Sequence, residues 1–331
     1  MKRVLVTGGA GFIGSNIAGT LADHTDYRVV VVDQFGSDEK WRNLSKHKIY
    51  EIISPGEVFY WLESNKNELD AIIHMGAISS TTETNVDLIL ETNFALRRGL
   101  WNWAAQNKKR FIYASSAATY GAGDAGFSDD NSTEALAKLR PLNAYGWSKH
   151  LFDQFVAIAT SGPKDKVPSQ WAGLKFFNVY GPNEYHKGEQ RSVINQIYPH
   201  AKYGRPVKLF KSYRDDYKDG GQLRDFVYVK DCVRVIIWLL GNPEVNGLYN
   251  LGTGKARSFA DLANATFAAV GKPPLIHFID MPEEIRDKYQ YFTEANMAHL
   301  RAAGYTEPFH SLEDGVKDYV EHFLSKDDQY F

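Results

Sequence analysis

The sequence predicts an α/β fold, a Rossmann-type doubly wound parallel sheet with a smaller α/β substrate-binding domain. Three observations carry that prediction. Short β-branched and apolar runs alternate with longer helical stretches over roughly the first 180 residues. Most of these runs are continuously apolar, as strands buried on both faces must be. A glycine-rich turn joins the first run to the first helical stretch. In chain order, strands are expected at Arg3–Thr7, Arg28–Asp33, Ile49–Ile53, Ala71–His74, Phe111–Ser115 and Leu174–Asn178. Helices are expected at Gly14–Ala22, Asn85–Gln106 and Ala144–Ala159, the last two with apolar residues at helical spacing.

After Gly181-Pro182 the chain turns to loops rich in charge, aromatics and glycine, and Tyr213 to Leu223 is its most polar segment. Leu248–Leu251 reads as one more buried strand. Ser258-Phe-Ala-Asp261 and Ser311-Leu-Glu-Asp314 read as capping boxes, and Gly241 and Gly271 stand where helices should end. The expected division gives 1–180 with about 225–255 to a nucleotide-binding domain, and 181–224 with 256–331 to an interleaved substrate domain.

A length of 331 residues allows about two domains, and 44% hydrophobic with 24% charged residues excludes intrinsic disorder. Lys and Arg number 38 against 40 Asp and Glu, a net charge of -2. Such a balance supplies no field to draw the chain onto nucleic acid or an anionic membrane, so neither is expected as a partner. Cys232 is the only cysteine, which rules out an intrachain disulfide and a Cys-rich zinc site; no metal is expected. The apolar run Val4-Leu5-Val6 is too short for a signal peptide, and no stretch approaches the ~18–20 apolar residues of a membrane span. A reducing, cytoplasmic location is the expectation.

Val4-Leu5-Val6 leads into Thr7-Gly8-Gly9-Ala10-Gly11-Phe12-Ile13-Gly14, which is strand, turn and helix in order. Gly8 permits the tight turn, Gly11 lets backbone approach a pyrophosphate, and Gly14 lets the helix pack closely on the strand. The helix N-terminus then offers unpaired N–H groups and a partial positive charge to an anion. Downstream, Arg28 to Val32 ends in Asp33, at the distance where a carboxylate meets an adenosine ribose. Asp33 alone argues for NAD because it repels a 2′-phosphate. Lys40 could pair with such a phosphate, so both cofactors stay open.

Tyr145-Gly-Trp-Ser-Lys149 puts a phenol and an ammonium one helical turn apart. A free tyrosine is a poor base at neutral pH. Lowering its pKa by ~2–3 units takes about 3–4 kcal/mol, for which Lys149 and a nicotinamide charge are the candidate sources. Elsewhere this spacing would be a surface Tyr with a solvated Lys. Here Phe111 to Ser116 ends a strand in two hydroxyls, at the rim where doubly wound sheets collect ligands. Ser115 and Ser116 as plain turn residues is the competing reading.

These segments, with His74-Met-Gly-Ala77, Asn93 and Asn178-Val-Tyr-Gly-Pro182, resemble the extended short-chain dehydrogenase/reductase superfamily, which acts largely on nucleotide sugars. The resemblance covers nearly the whole chain. Ser79-Ser-Thr-Thr-Glu83, Ala114 to Gly121, His186-Lys-Gly188, Arg224 to Val229, Tyr289 to Thr293 and Leu300 to Tyr305 resemble, within it, the ADP-heptose 6-epimerases. The resemblance implies oxidation of the heptose C6 to an aldehyde with bound NADP, NAD being possible, and hydride return to the opposite face. That reaction supplies a lipopolysaccharide core precursor. Tyr145 and Lys187 would be the two acid/base groups, with Lys149 and Ser116 beside them. An exocyclic aldehyde can turn its other face by rotating one bond, but its moved oxygen needs a second proton partner. Without the resemblance, Lys187 reads as a solvated loop lysine.

The resemblance assigns Gly8, Gly11, Phe12, Ile13, Gly14, Asp33, Gln34, Lys40, Met75, Gly76, Ala77, Ile78, Ser79, Asn93, Lys149, Val179 and Lys187 to the cofactor. It assigns Ser116, Asn178, Glu189, Phe210, Lys211, Ser212, Arg224 and Tyr289 to the substrate. Arg224 has a reason of its own, since a sugar diphosphate calls for a bidentate cation. Tyr289 can cover an adenine or a sugar face, or simply pack in a core. A homo-oligomer, a pentamer by resemblance, is implied as well.

Three departures stand out. Met75 replaces an acid seen in some members, Glu189 places a carboxylate beside an expected diphosphate unless Arg191 compensates, and 213–223 is longer than usual. The alternatives are a UDP-hexose 4-epimerase, which needs only the tyrosine, a nucleotide-sugar dehydratase, and a non-catalytic NAD(P) sensor. Ala117-Ala118 stand where a dehydratase needs an acid pair, and a sensor need not keep Tyr145, Lys149 and Ser116.

Overall fold

The computed structural model describes residues 2–24, 26–286 and 289–331. Twelve strands lie in chain order: β1 (Lys2–Thr7), β2 (Tyr27–Val32), β3 (Glu51–Ile53), β4 (Leu69–His74), β5 (Arg110–Ser116), β6 (Gln170–Phe176), β7 (Asn178–Tyr180), β8 (Val207–Phe210), β9 (Leu223–Tyr228), β10 (Gly247–Leu251), β11 (Ala256–Ser258) and β12 (Ile276–Ile279). Seven form one parallel sheet in the order β10-β6-β5-β4-β1-β2-β3. The order reverses between β1 and β4, so their carboxyl ends open a crevice there.

The sheet is apolar on both faces because helices cover both. Helices Phe12–Asp23 and Val229–Gly241 bury Ile17, Leu21, Ile236 and Leu239 against one face. Helices Val58–Asn65, Leu96–Gln106 and Ala144–Ser161 bury Trp61, Trp101 and Phe152 against the other. A second lobe carries two small sheets, β11-β9-β7 and β12-β8, and its own core of Ile194, Phe226, Phe267, Val316 and Tyr319. The main sheet takes back β10 at its edge, with Gly247 to Leu251 in register with Ala172 to Phe176.

Most expected elements form within a few residues of their expected bounds. The strand expected at Leu174–Asn178 instead breaks. Phe177 still donates its N–H to the Leu251 carbonyl (3.1 Å), but the next bond, Val179 N–H to the Phe177 carbonyl (3.0 Å), bends the chain out of the large sheet into β7. The helix at 85–106 contains a wide turn, Glu91–Ala95, bonded with π-type spacing. Only Glu51–Ile53 of the strand expected from Ile49 pairs with β2. Ser258 and Asp261 make a reciprocal box (2.9 and 3.1 Å). Ser311 does not: its hydroxyl donates to the Asp314 carboxylate (2.6 Å) and accepts the Asp314 N–H. Among the described residues no helix is long and apolar enough to cross a membrane.

Candidate active site

The glycine turn sits at the crevice between β1 and β4. Gly8 has φ +64, and a Cβ on it would lie 2.6 Å from the Gly76 backbone. A Cβ on Gly14 would lie 2.0 Å from the Gly8 carbonyl oxygen. Neither position admits a side chain, and the bare backbone that results faces a cavity of about 560 Å³. Gly8, Gly11, Phe12, Ile13, Gly14, Asp33, Lys40, Met75, Gly76, Ala77 and Ser79 line that cavity. Ser116, Tyr145, Lys149, Val179 and Lys187 line the same cavity, with Lys187 beside Phe12. The set fits a dinucleotide: a helix N-terminus entered through glycines, a carboxylate at the end of β2, and polar side chains beside them.

Asp33 accepts the Ala10 N–H (2.8 Å) on one oxygen, and the Gln34 N–H (2.7 Å) and the Lys40 ammonium (2.5 Å) on the other. Lys40 also donates to the Gln34 carbonyl (2.8 Å). Gln34 is exposed and serves through its backbone. Asn93 and Ile78 do not line the cavity. Asn93, buried by the wide turn, clamps Ile78 through both backbone groups (2.8 and 2.9 Å) and donates to the Ser148 hydroxyl (3.1 Å). It therefore holds the cofactor-side turn against the Tyr145 helix.

The paired serines divide their work. Ser115 Oγ points inward and donates to Asp153 (2.7 Å), which also accepts from buried Lys175 (2.9 Å) and Tyr113 (3.3 Å). Ser116 lines the cavity, its Oγ accepting the Ala118 N–H (3.1 Å). Tyr145 is half-buried at the start of a helix capped by Asn143, whose side chain accepts the Gly146 N–H (2.8 Å). Burial pushes the Tyr145 phenol up, and the Ser116 hydroxyl and the Arg97 charge oppose the rise. Lys149 is buried with its Nζ 5.7 Å from the Tyr145 ring centroid, and it donates to the Ala114 carbonyl (3.0 Å). Burial, with Arg97 adding to it, holds this ammonium well below the ordinary lysine range.

Lys187 comes from the other lobe, on the turn Tyr185–Gln190. It is half-buried, 5.2 Å above the Phe12 ring, and burial lowers its pKa while Glu184 partly restores it. Glu189 is exposed outside the cavity, and Arg191 serves the Gly188 carbonyl (2.7 Å) and Asn195 (3.0 Å) instead of it.

The other expected substrate residues are not brought into this cavity. Asn178 is exposed, Lys211 pairs with Asp280 (3.1 Å), and the Ser212 N–H donates to Asp219 (2.8 Å). Phe210, Arg224 and Tyr289 do cluster, with Phe210 6.2 Å and the Arg224 guanidinium 5.4 Å from the Tyr289 ring. They adjoin a separate cavity of about 410 Å³ lined by Tyr213, Arg214, Arg286, Tyr289 and Tyr291, where Arg286 lies 3.8 Å over Tyr213. Sequence reasoning missed Arg214, Arg286, Tyr213 and Tyr291, and also Thr81, His186 and Gln190 of the main cavity. The unusual polarity of 213–223 was the one signal for the former, and adjacency to Lys187 the signal for His186.

The fold and this site define a nucleotide-binding sugar-modifying class, and the comparisons agree. The sequence profile described as the NAD dependent epimerase/dehydratase family matches residues 4–252. A protein of Fusobacterium nucleatum named ADP-L-glycero-D-manno-heptose-6-epimerase is 48% identical over 335 residues, covering 99% of each chain. One of the same name from Nitratidesulfovibrio vulgaris is 48% identical, covering 98% of this chain and 99% of its own. The crystal structure of the Helicobacter pylori ADP-L-glycero-D-manno-heptose-6-epimerase superimposes with TM-score 0.77 at 30% identity, covering 97% and 96%. The chain belongs to the NAD dependent epimerase/dehydratase family, and within it groups with these heptose epimerases. It is an enzyme of the isomerase class that uses a nicotinamide cofactor.

Proposed function

We propose that the chain inverts C6 of the heptose in ADP-D-glycero-D-manno-heptose, giving the L-glycero epimer. One observation carries the reading: two proton carriers from different lobes, Tyr145 and Lys187, line one cavity that ends in a glycine cradle. When bound, a nicotinamide cofactor supplies reversible hydride uptake and return. The chain supplies the rest. Tyr145 exchanges the C6 hydroxyl proton of one epimer and Lys187 that of the other, so neither carrier has to follow the oxygen as the exocyclic carbon turns. Lys149 and Ser116 hold Tyr145 ready for that exchange, and a lysine whose pKa burial has lowered releases a proton more readily than a solvated one.

The nucleotide end of the substrate suits the cavity of Arg214, Arg286, Tyr289 and Tyr291, with Arg224 alongside. Guanidinium groups match a diphosphate, and the aromatic faces match an adenine. For the cofactor we infer NADP. Lys40 offsets the Asp33 charge, which removes the repulsion a 2′-phosphate would otherwise meet, and its ammonium remains at the cavity rim. Mass spectrometry of the cofactor released on denaturation decides between NADP and NAD.

The decisive test incubates the protein with ADP-D-glycero-D-manno-heptose and reads C6 configuration by NMR. The parent should interconvert the epimers, and Lys187→Met should lose at least ~10²-fold in kcat with its cofactor content unchanged. Full activity in Lys187→Met removes the second carrier and with it the C6 mechanism.

A further inference from the structure

Arg97 is completely buried, and all three of its guanidinium nitrogens lack a hydrogen-bond partner among the described residues. An arginine in that state is costly, since a buried cation without a direct partner loses its hydration and regains only part of it through more distant charge. It lies on helix Leu96–Gln106, one turn after Asn93, whose side chain reaches Ser148 between Tyr145 and Lys149. Its guanidinium carbon stands 5.0 Å from the Phe152 ring and 5.9 Å from the Tyr113 ring. Phe152 follows Lys149 on the same helix, and Tyr113 precedes Ala114, whose carbonyl holds the Lys149 ammonium. Arg97 is thus wedged behind the Tyr145–Lys149 face, between that helix and β5.

We propose that Arg97 is a positioning residue of the active site, a fixed buried cation set between the Tyr145–Lys149 helix and β5 that acts on that pair from behind. This deepens the reading of Tyr145 as a proton carrier and rests on it. The groups facing Arg97 are His74 on β4, Tyr113 on β5, and Tyr145, Lys149 and Asp153 on the helix; Lys175 on β6 lies beyond, paired to Asp153. Arg97 is itself pushed down to about 10 by burial, so it stays charged at neutral pH. Its charge opposes the upward push that burial gives Tyr145, and adds to the downward push on Lys149 and His74. The nearest carboxylate, Asp153, is already taken by Ser115, Tyr113 and Lys175. Asp153 therefore offsets the Arg97 charge only in part, and the remainder acts on the site.

The test compares the parent with Arg97→Met, Arg97→Lys and Tyr145→Phe. Tyr145 ionisation is read as the phenolate ultraviolet absorbance that Tyr145→Phe lacks. In Arg97→Met it should move up by at least about half a pH unit, a roughly threefold loss of phenolate at a given pH. The shift is no larger because Lys149 regains charge in the same variant. Arg97→Lys should titrate like the parent. The kcat of Arg97→Met at neutral pH should fall about threefold to tenfold with cofactor content and KM nearly unchanged. Its melting temperature should rise, because the substitution removes a buried charge that has no direct partner. A structural role predicts the opposite stability change. A parent-like titration in Arg97→Met, or a variant too unstable to purify, overturns the proposal. If the parent leaves ADP-heptose unchanged while the Tyr145 titration still responds, the proposed reaction fails and the role of Arg97 stands.

Discussion

Substituting Gly14 by Ala tests the cradle directly. The added methyl would lie 2.0 Å from the Gly8 carbonyl oxygen and 2.8 Å from its carbon, where an ordinary contact needs at least 3.4 Å. Both atoms are backbone, so no rotamer relieves the clash. Either the turn at Gly8 or the N-terminus of helix Phe12–Asp23 must move by roughly 1 Å, and a displacement of that size at an oriented site costs on the order of 10²-fold. Dinucleotide affinity should fall by that factor, about 2.7 kcal/mol. Titration calorimetry with apo protein measures it. Gly56→Ala is the control, because its Cβ meets nothing within 4 Å and its backbone needs no positive φ; it should bind like the parent. Gly14→Ala binding within threefold of the parent would refute the claim that these backbone groups hold the ligand.

Two further outcomes follow from buried charge. Lys175→Met should destabilise the fold by about 3–5 kcal/mol, since it strands Asp153, and adding Asp153→Leu should recover most of the loss; urea unfolding of the three variants measures this. His74 donates or accepts only with Thr7 (2.6 Å), and burial, aided by the Arg97 and Lys149 charges, holds its pKa well below 6.5. Its unfolded form takes up a proton that the folded form refuses, so the chain should lose stability as pH falls below 6.5. The slope from this residue is at most about 1.4 kcal/mol per pH unit, and pH-dependent unfolding of His74→Gln should lack it.

The chemistry was legible where local pattern dictates backbone. Gly8, Gly11 and Gly14 at fixed spacing force a bare turn, and the four-residue step from Tyr145 to Lys149 forces one helix face. Elements whose partners lie far along the chain were harder. β6 stops at Phe176 because Leu251 and the β7–β9 pairing compete for the residues that follow, and no local propensity encodes that contest. Nothing in the spacing marks Arg97 as buried, because the wide turn at Glu91–Ala95 just before it is invisible in the sequence pattern. The cavity of Arg214, Arg286 and Tyr291 joins residues about 70 positions apart, and only the polarity of one side of it was visible.

The return of β10 to the edge of the large sheet has a consequence for synthesis. Every residue of β6 is buried, and its outer backbone edge is closed only by residues Gly247 to Leu251. A ribosome extending the chain at ~5–20 residues per second takes roughly 4–15 s to make the roughly 70 residues in between. For that interval the nascent chain presents a largely apolar, unpaired strand edge, the kind of surface that recruits other strands. The nucleotide-binding layer is therefore finished late, and its cellular yield should depend on what shelters β6 in those seconds.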